Sequence, residues 1–402
     1  MSLIVQKFGG TSVADNHHLF NVARKVTDMH SKGHDVIVVV SAQGDTTDNL
    51  IKTAKNINSN ASKREMDVLL STGEQVSISL LCMAIEKLGF KAVSLTGWQA
   101  GFLTDSYHYN AKISKINTER IKKELDKKNI VVIAGFQGID ENSDITTLGR
   151  GGSDTSAVAV AAAIKADVCK IYTDVDGVYT ADPRIVPSAK KISTISYDEM
   201  FALSSYGAQI LNDRSIKAAK KHGVEVEVLS SMSNNPNGTI VKDIPNLPSN
   251  HISGISIKNR LAKILISDVD QKTFSEDILP LLKDIEVENS LKLVGKTPKG
   301  NATFVIKEED LPKTIKILKN NLKDENQIFY EKNKSEISII NLFESYNINI
   351  ASIVFQALSE AEIEIEMVAC TNERVSIIIP STYAHKSLNI IHSKLFEEDN
   401  LI

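Results

Sequence analysis

Apolar residues in the first 230 positions keep two alternating rhythms. Short blocks with apolar character on both faces occur at 36–40, 92–95, 130–134 and 168–173. They fit parallel strands that are covered on both sides. Between them Leu19, Val22, Ala23, Val26 and Met29 recur at helical spacing, and Leu81, Ala84, Ile85 and Leu88 do so just before Gly89. An amphipathic stripe that stops at a glycine is a helix with its C-terminal signal. The alternation predicts an α/β fold, a three-layer αβα sandwich built on a mostly parallel sheet.

Ser, Asn and Pro concentrate at 230–250, which reads as a boundary. Beyond it lie only Gly254, Gly295 and Gly300 of the chain's 20 glycines. Few backbone positions there need a glycine, so a phosphate loop is not expected in that region. The pattern predicts a strand at 262–267, a helix at 274–283, strands at 285–293 and 302–306, a helix at 311–322 and a strand at 327–331. A second βαββα round follows at 336–340, 350–359, 363–369, 375–379 and 383–396. That round lacks its last strand, and 252–257 is a strand without a partner. The simplest closure lends 252–257 to the second round, with the first inserted between. The expected domains are therefore 1–245, then an α+β ferredoxin-like βαββαβ unit at 262–331, and another formed by 251–261 plus 332–402.

At 402 residues, 42% apolar and 24% charged, the chain has the composition of a globular protein with two or three domains. A net charge of -4 gives no footprint for nucleic acid or a membrane surface. Apolar runs such as 157–164 and 36–40 are too short to span a bilayer. No leader-like segment precedes Lys7, so no signal peptide is expected. Cys82, Cys169 and Cys370 are scattered and odd in number, as buried free thiols of a reducing cytoplasm would be.

Three glycine-bearing segments stand at the ends of predicted strands. They are Lys7-Phe8-Gly9-Gly10-Thr11-Ser12, Thr147-Leu148-Gly149-Arg150-Gly151-Gly152-Ser153-Asp154, and a stretch from Tyr172 through Gly177 to Arg184. Adjacent glycines let backbone N–H groups close on a phosphate, and a lysine beside them adds a mobile positive charge. One such turn would be only a tight bend; three point to a phosphate-handling enzyme. A Gly-x4-Gly-Lys-[Ser/Thr] loop and a protein-kinase catalytic set are both missing, which sets those classes aside.

Several residues have two readings. Ser41 and Thr47 follow a strand end where open α/β sheets bind ligands, yet Ser, Thr and Asp there also suit a helix N-cap. Glu74, after Ser71-Thr72-Gly73, reads as a carboxylate at a helix start, facing the dipole. Ser153 reads as the cap of an alanine-rich helix with Asp154 in its first turn. Asp154 is then either a dipole partner or an acid that orients Lys7 and binds Mg²⁺. Arg150 offers a planar fork for a carboxylate. Asp174-Val175-Asp176 begins like a calcium loop but fails, with Gly177 too early and Ile185 where the closing Glu belongs. Asp182-Pro183 reads equally well as a turn.

All three segments resemble the signature motifs of the aspartate kinases, in the amino-acid kinase superfamily. The likeness runs from about residue 3 to 241, and the remainder resembles the tandem ACT domains of that family. The resemblance implies ATP- and Mg²⁺-dependent conversion of L-aspartate to 4-phospho-L-aspartate, on the route to lysine, threonine and methionine. It places Lys7, Gly9 and Gly10 at the ATP phosphates, and Ser41 and Ser153 at both nucleotide and substrate. Thr47, Arg150, Gly151 and Gly152 would hold the substrate, with Glu74 on its α-ammonium and Asp154 on the metal. Thr173, Asp174, Tyr179, Asp182 and Arg184 would surround the nucleotide. Lys7, Arg150 and Asp154 would carry catalysis. A cytoplasmic homodimer paired through the ACT domains is implied, with no nucleic-acid or membrane partner. Gln209 stands where many members have lysine, which keeps open a weakly active ligand-sensing protein. A kinase for a glutamate derivative or a nucleotide is the other alternative; it would not use Thr47, Glu74 and Arg150 together. The loops matching effector sites, 268–273 and 341–347, contain no glycine or proline, and Glu344 adds a repelling charge. Weak or absent feedback inhibition by lysine and threonine is the expectation.

Overall fold

The computed structural model describes residues 2–208, 210–233, 237–245, 248, 251–270, 272–283, 285, 287–294, 299–322, 327–342 and 344–397. By contacts the chain divides into two units, 1–178 with 191–204 and 209–245, and 179–190 with 205–208 and 246–402.

The first unit runs β1 (Leu3–Phe8), α1 (Asn16–Ser31), β2 (Asp35–Val40), α2 (Thr46–Ile57), α3 (Lys63–Lys87), β3 (Ala92–Leu95), β4 (Phe102–Thr104), β5 (Ile113–Ile116), α4 (Glu119–Asp126) and β6 (Ile130–Ala134). It continues with β7 (Gln137–Ile139), β8 (Ile145–Thr147), α5 (Gly152–Ile164), β9 (Val168–Thr173), β10 (Thr194–Ser196), α6 (Tyr197–Leu203), α7 (Asp213–His222), β11 (Val226–Ser230) and β12 (Thr239–Lys242). Its main sheet has the order β10-β12-β11-β9-β1-β2-β6-β3. Every pairing is parallel except β11 with β12. The predicted blocks are β2, β3, β6 and β9, and β1 lies between β9 and β2. Alternate side chains of β1, β2 and β6 (Phe8, Val36, Val38, Val40, Ile130, Val132) join one core with α1 and α3. Helix α5 packs on β1, β2 and β9 beside α7.

Three features depart from the sequence pattern. Strand β12 falls inside the supposed boundary and returns antiparallel beside β11. A second sheet, β5-β4-β7-β8, was not expected, since its strands of three or four residues are too short to show a period of two. Helix α3, at 25 residues, is long and apolar enough to cross a membrane by length and composition. It is instead a core helix, burying Ile78, Leu81, Cys82 and Ile85 with the strands. Of the cysteines, Cys82 and Cys169 are buried as expected, but Cys370 is exposed.

The second unit comprises β13 (Gly254–Asp270), β14 (Val287–Val294), β15 (Lys299–Lys307), α8 (Leu311–Asn321), β16 (Ile328–Ile340), α9 (Glu344–Glu360), β17 (Met367–Thr371), β18 (Arg374–Pro380) and α10 (Ala384–Phe396). They form one sheet in the order β14-β15-β13-β16-β18-β17. The segments 252–257 and 262–267 merge in β13, and 327–331 and 336–340 merge in β16. Ile255 and Ile257 pair with Ile339 and Ile337, while Ile264 and Ile266 pair with Tyr330 and Ile328. The lent strand therefore pairs with the second round. The helix expected at 274–283 is instead a π turn, Thr273–Ile278, and a 3-10 turn, Leu279–Leu282, with Pro280 near its start. Proline there has no N–H to continue a helix. The strand expected from 363 begins only at Met367. Glu362 takes a left-handed φ of 56° and Ile363 N–H donates to Leu358 O at 2.9 Å, so these residues close α9.

Candidate active site

A cavity of about 500 Å³ opens in the first unit at the C-terminal ends of β1, β2 and β6, where open α/β sheets bind ligands. Lys7, Ser41, Thr47, Glu74, Arg150, Gly151, Gly152, Ser153 and Asp154 all line it. Residues 34 to 147 positions apart in sequence patterning thus meet because parallel strands end on one side.

Lys7 Nζ stands 2.7 Å from Asp154 Oδ1, with the two side chains 12% and 13% exposed. The two form an ion pair beside the cavity that both line. A Cβ on Gly9 would lie 3.5 Å from Lys7 Nζ, and one on Gly10 would lie 2.6 Å from Ala42 O. Gly10 is thus required by the close approach of the Ala42 turn, whereas Gly9 has room for a Cβ, and neither lines the cavity itself.

Helix α5 begins at Gly152, behind Gly151 at φ 69°. Ser153 is thus inside the first turn and does not cap it, while Asp154 sits in that turn as expected. The N–H groups of a first helical turn have no intrahelical acceptor and favour anions. Close approach holds the turn in place: a Cβ on Gly135 would meet Ser153 Cβ at 2.8 Å, and one on Gly151 would meet Asn212 Nδ2 at 2.2 Å. Asn212 Nδ2 donates to Arg150 O at 3.1 Å, and Arg150 itself is exposed at the rim.

Glu74 lies in the middle of α3, not at a helix start, so the dipole does not explain it. It is 2% exposed. Ala42 N–H donates to its Oε1 at 3.0 Å, and Oε2 has no partner. Burial, opposed by that N–H and by the Glu74 backbone, pushes the carboxyl up to about 8. Gly73 permits this contact, since a Cβ there would come 2.8 Å from Ala42 Cβ. Near it, Thr46 Oγ1 donates to Gln43 O at 2.6 Å and Asp45 makes no side-chain cap, so the capping reading of this stretch fails.

Thr173 and Asp174 of the third segment do not line this cavity. Thr173 ends β9 and donates to the exposed Asp174 at 2.9 Å. Tyr179, Asp182 and Arg184 belong to the second unit. There Asp182 Oδ1 accepts from Arg184 N at 2.9 Å and its carboxylate pairs with the guanidinium at 2.8 Å. That is a turn held by its own side chain, and Arg184 keeps the Asp182 carboxyl below its usual range. Gln209 lies outside the described residues.

Asp48, Ile51, Leu70, Tyr109 and Phe136 also line the cavity and were not expected. Tyr109 and Phe136 have φ of 71° and 69°. Bulky residues in left-handed conformation mark strained, functional backbone, but no sequence signal announces them.

The amino acid kinase family model matches residues 2–230, and an ACT domain model matches 334–395. The aspartokinase of Geobacillus stearothermophilus is 44% identical over 396 residues, covering 98% of this chain and 97% of that one. The aspartokinase of Helicobacter pylori is 41% identical, covering 97% and 98%. The structure of E. coli aspartokinase III in complex with aspartate and ADP matches the fold with a TM-score of 0.77 at 22% identity, over 98% of this chain and 100% of that one. With a cavity that collects the motif residues on one sheet edge, and relatives that match from end to end, this chain belongs to the aspartokinases of the amino acid kinase family.

Proposed function

We propose that this protein transfers the γ-phosphoryl group of ATP to the β-carboxylate of L-aspartate, giving 4-phospho-L-aspartate and ADP. The observation that carries the reading is Glu74, a buried carboxylate with one unpartnered oxygen in a cavity that also presents Arg150. An unpaired buried acid calls for a cation, and the guanidinium at the rim calls for an anion. A free amino acid supplies both, through its α-ammonium on Glu74 and its α-carboxylate on Arg150, with Ser41 and Thr47 alongside.

A β-carboxylate is already ionised at neutral pH, so no general base is needed. One of its oxygens forms the new P–O bond as the bond to ADP breaks. Lys7 neutralises charge on the transferred group, and the first-turn N–H groups at Ser153 and Asp154 add oriented dipoles, the Gly152 N–H being held by Gly149 O at 3.0 Å. Asp154 orients Lys7 through their ion pair. Asp154, a carboxylate lining the cavity beside Lys7, would hold Mg²⁺ with a nucleotide phosphate. Bound there, the ion would supply charge neutralisation on the phosphates. Thr173 and Asp174 are assigned to the nucleotide on the family's pattern, as are a cytoplasmic location and a homodimer.

The test is ADP release with and without L-aspartate, with hydroxylamine present to trap an acyl phosphate as the hydroxamate. Aspartate-dependent ADP release with matching hydroxamate supports the reading. Release that ignores aspartate, or no release, rejects it.

A further inference from the structure

We propose that Asp67 is a positioning residue for the amino-acid substrate, acting through Tyr109. The inference rests on the aspartokinase reading and adds to it a residue that touches no substrate.

Asp67 lies on α3 and is fully buried. A buried carboxylate is costly unless several donors converge on it. Here its two oxygens accept from Tyr109 N at 3.1 and 3.0 Å. His108 Nδ1 lies 2.8 Å away, and Thr147 Oγ1 donates at 2.5 Å. These partners come from two separate loops, and each loop leads directly into the cavity wall. Tyr109 lines the cavity itself, and Thr147 is followed by Gly149 and Arg150, which also line it.

The need for such an anchor is visible in the backbone. Tyr109 holds φ at 71°, a conformation that an aromatic residue leaves unless something fixes it. Its N–H on Asp67 is that fixing contact. The same two loops are tied again by Ala111 N to Thr147 O at 2.9 Å. Arg214 spans them from the other side, donating to Leu148 O at 2.7 Å and to Asn110 Oδ1. Asp67 bonds to neither Lys7 nor Asp154, and Tyr109, through which it acts, is no part of the phosphate-handling set.

A merely structural carboxylate would lower the melting temperature and leave the two Michaelis constants in their original ratio. The positioning role predicts a split. Asp67→Asn keeps the volume but replaces one of the two acceptor oxygens with a donor, so Tyr109 N–H, His108 and Thr147 must compete for the single oxygen left. It should raise KM for L-aspartate by about tenfold or more and leave KM for ATP within about twofold. Tyr109→Gly keeps the left-handed turn without the wall, and should raise KM for L-aspartate alike. In the double variant the effect should not exceed the larger single one, because Asp67 acts through Tyr109.

Equal shifts in both KM values, or multiplying effects in the double variant, overturn the proposal. So does an unchanged KM for L-aspartate in Tyr109→Gly, which decides the matter even where Asp67→Asn does not fold. A wild type without aspartate-dependent turnover overturns the functional reading and this inference with it. Normal wild-type turnover with unaffected variants overturns this inference alone.

Discussion

Lys7 and Asp154 form a pair that is neither solvated nor sealed. Replacing Lys7 with Met removes the positive charge from the phosphoryl site. A loss on the order of 10³ in kcat is expected with an unchanged circular dichroism spectrum; a variant within about tenfold of wild type would take Lys7 out of the chemistry. Glu74 makes a different prediction. Below about pH 8 it is protonated in the free enzyme, because burial raises it. The substrate ammonium favours the ionised form, so binding below that pH must release a proton. KM for L-aspartate should fall as pH rises toward about 8, by up to about tenfold per unit, and then level off. Glu74→Gln should flatten the profile, and a flat wild-type profile would separate Glu74 from the ammonium. The same raised value lowers stability as pH climbs from 4.5 to about 8, because the unfolded chain ionises first across that window. At this scale the sequence was legible wherever charge and glycine adjoin, as at Lys7 and Arg150. It was not legible where the cause is tertiary. Nothing local shows that Ala42 folds over Glu74, or that Tyr109 and Phe136 turn left-handed.

Among the elements, α3 shows most clearly how tertiary contact overrides local preference. Gly73 in its middle costs helix propensity, about 1 kcal/mol against alanine. Gly73→Ala would regain that, but its methyl would press on Ala42 Cβ at 2.8 Å. Overpacking of this kind costs about 1–3 kcal/mol, so the variant should melt lower and bind aspartate more weakly. A higher melting temperature with unchanged KM would show that the Ala42 turn yields. The strands β2 and β6 could be read directly because burial on both faces leaves a continuous apolar run, while β3 and β9 are only partly buried. The 274–283 segment misled because its apolar spacing is helical while Pro280 withholds a donor. Glu362 closed a helix where the composition looked like a strand.

At the scale of the molecule, the second unit is where the expected effector loops fall. Asp268 makes its turn at φ 51° without a glycine, and its N–H donates to Asn301 Oδ1 at 3.3 Å. A donor spent within the protein is not offered to a ligand carboxylate. Gln271 and Phe343, in the two loops, lie outside the described residues. Little inhibition by lysine or threonine, alone or together, is expected in the kinase assay. Half-inhibition at sub-millimolar concentration of either would show a working pocket.

The shared strands β13 and β16 also bear on how this chain is born. The two halves of the six-stranded sheet share these strands, each taking one end of both. On the ribosome β13 emerges well before β16, so even once β15 has paired with one of its edges the other waits unpaired. Unpaired edges invite association with other chains. Synthesis that stalls between these strands would leave a nascent protein whose kinase half is complete and whose remainder is adhesive, a natural client for a chaperone.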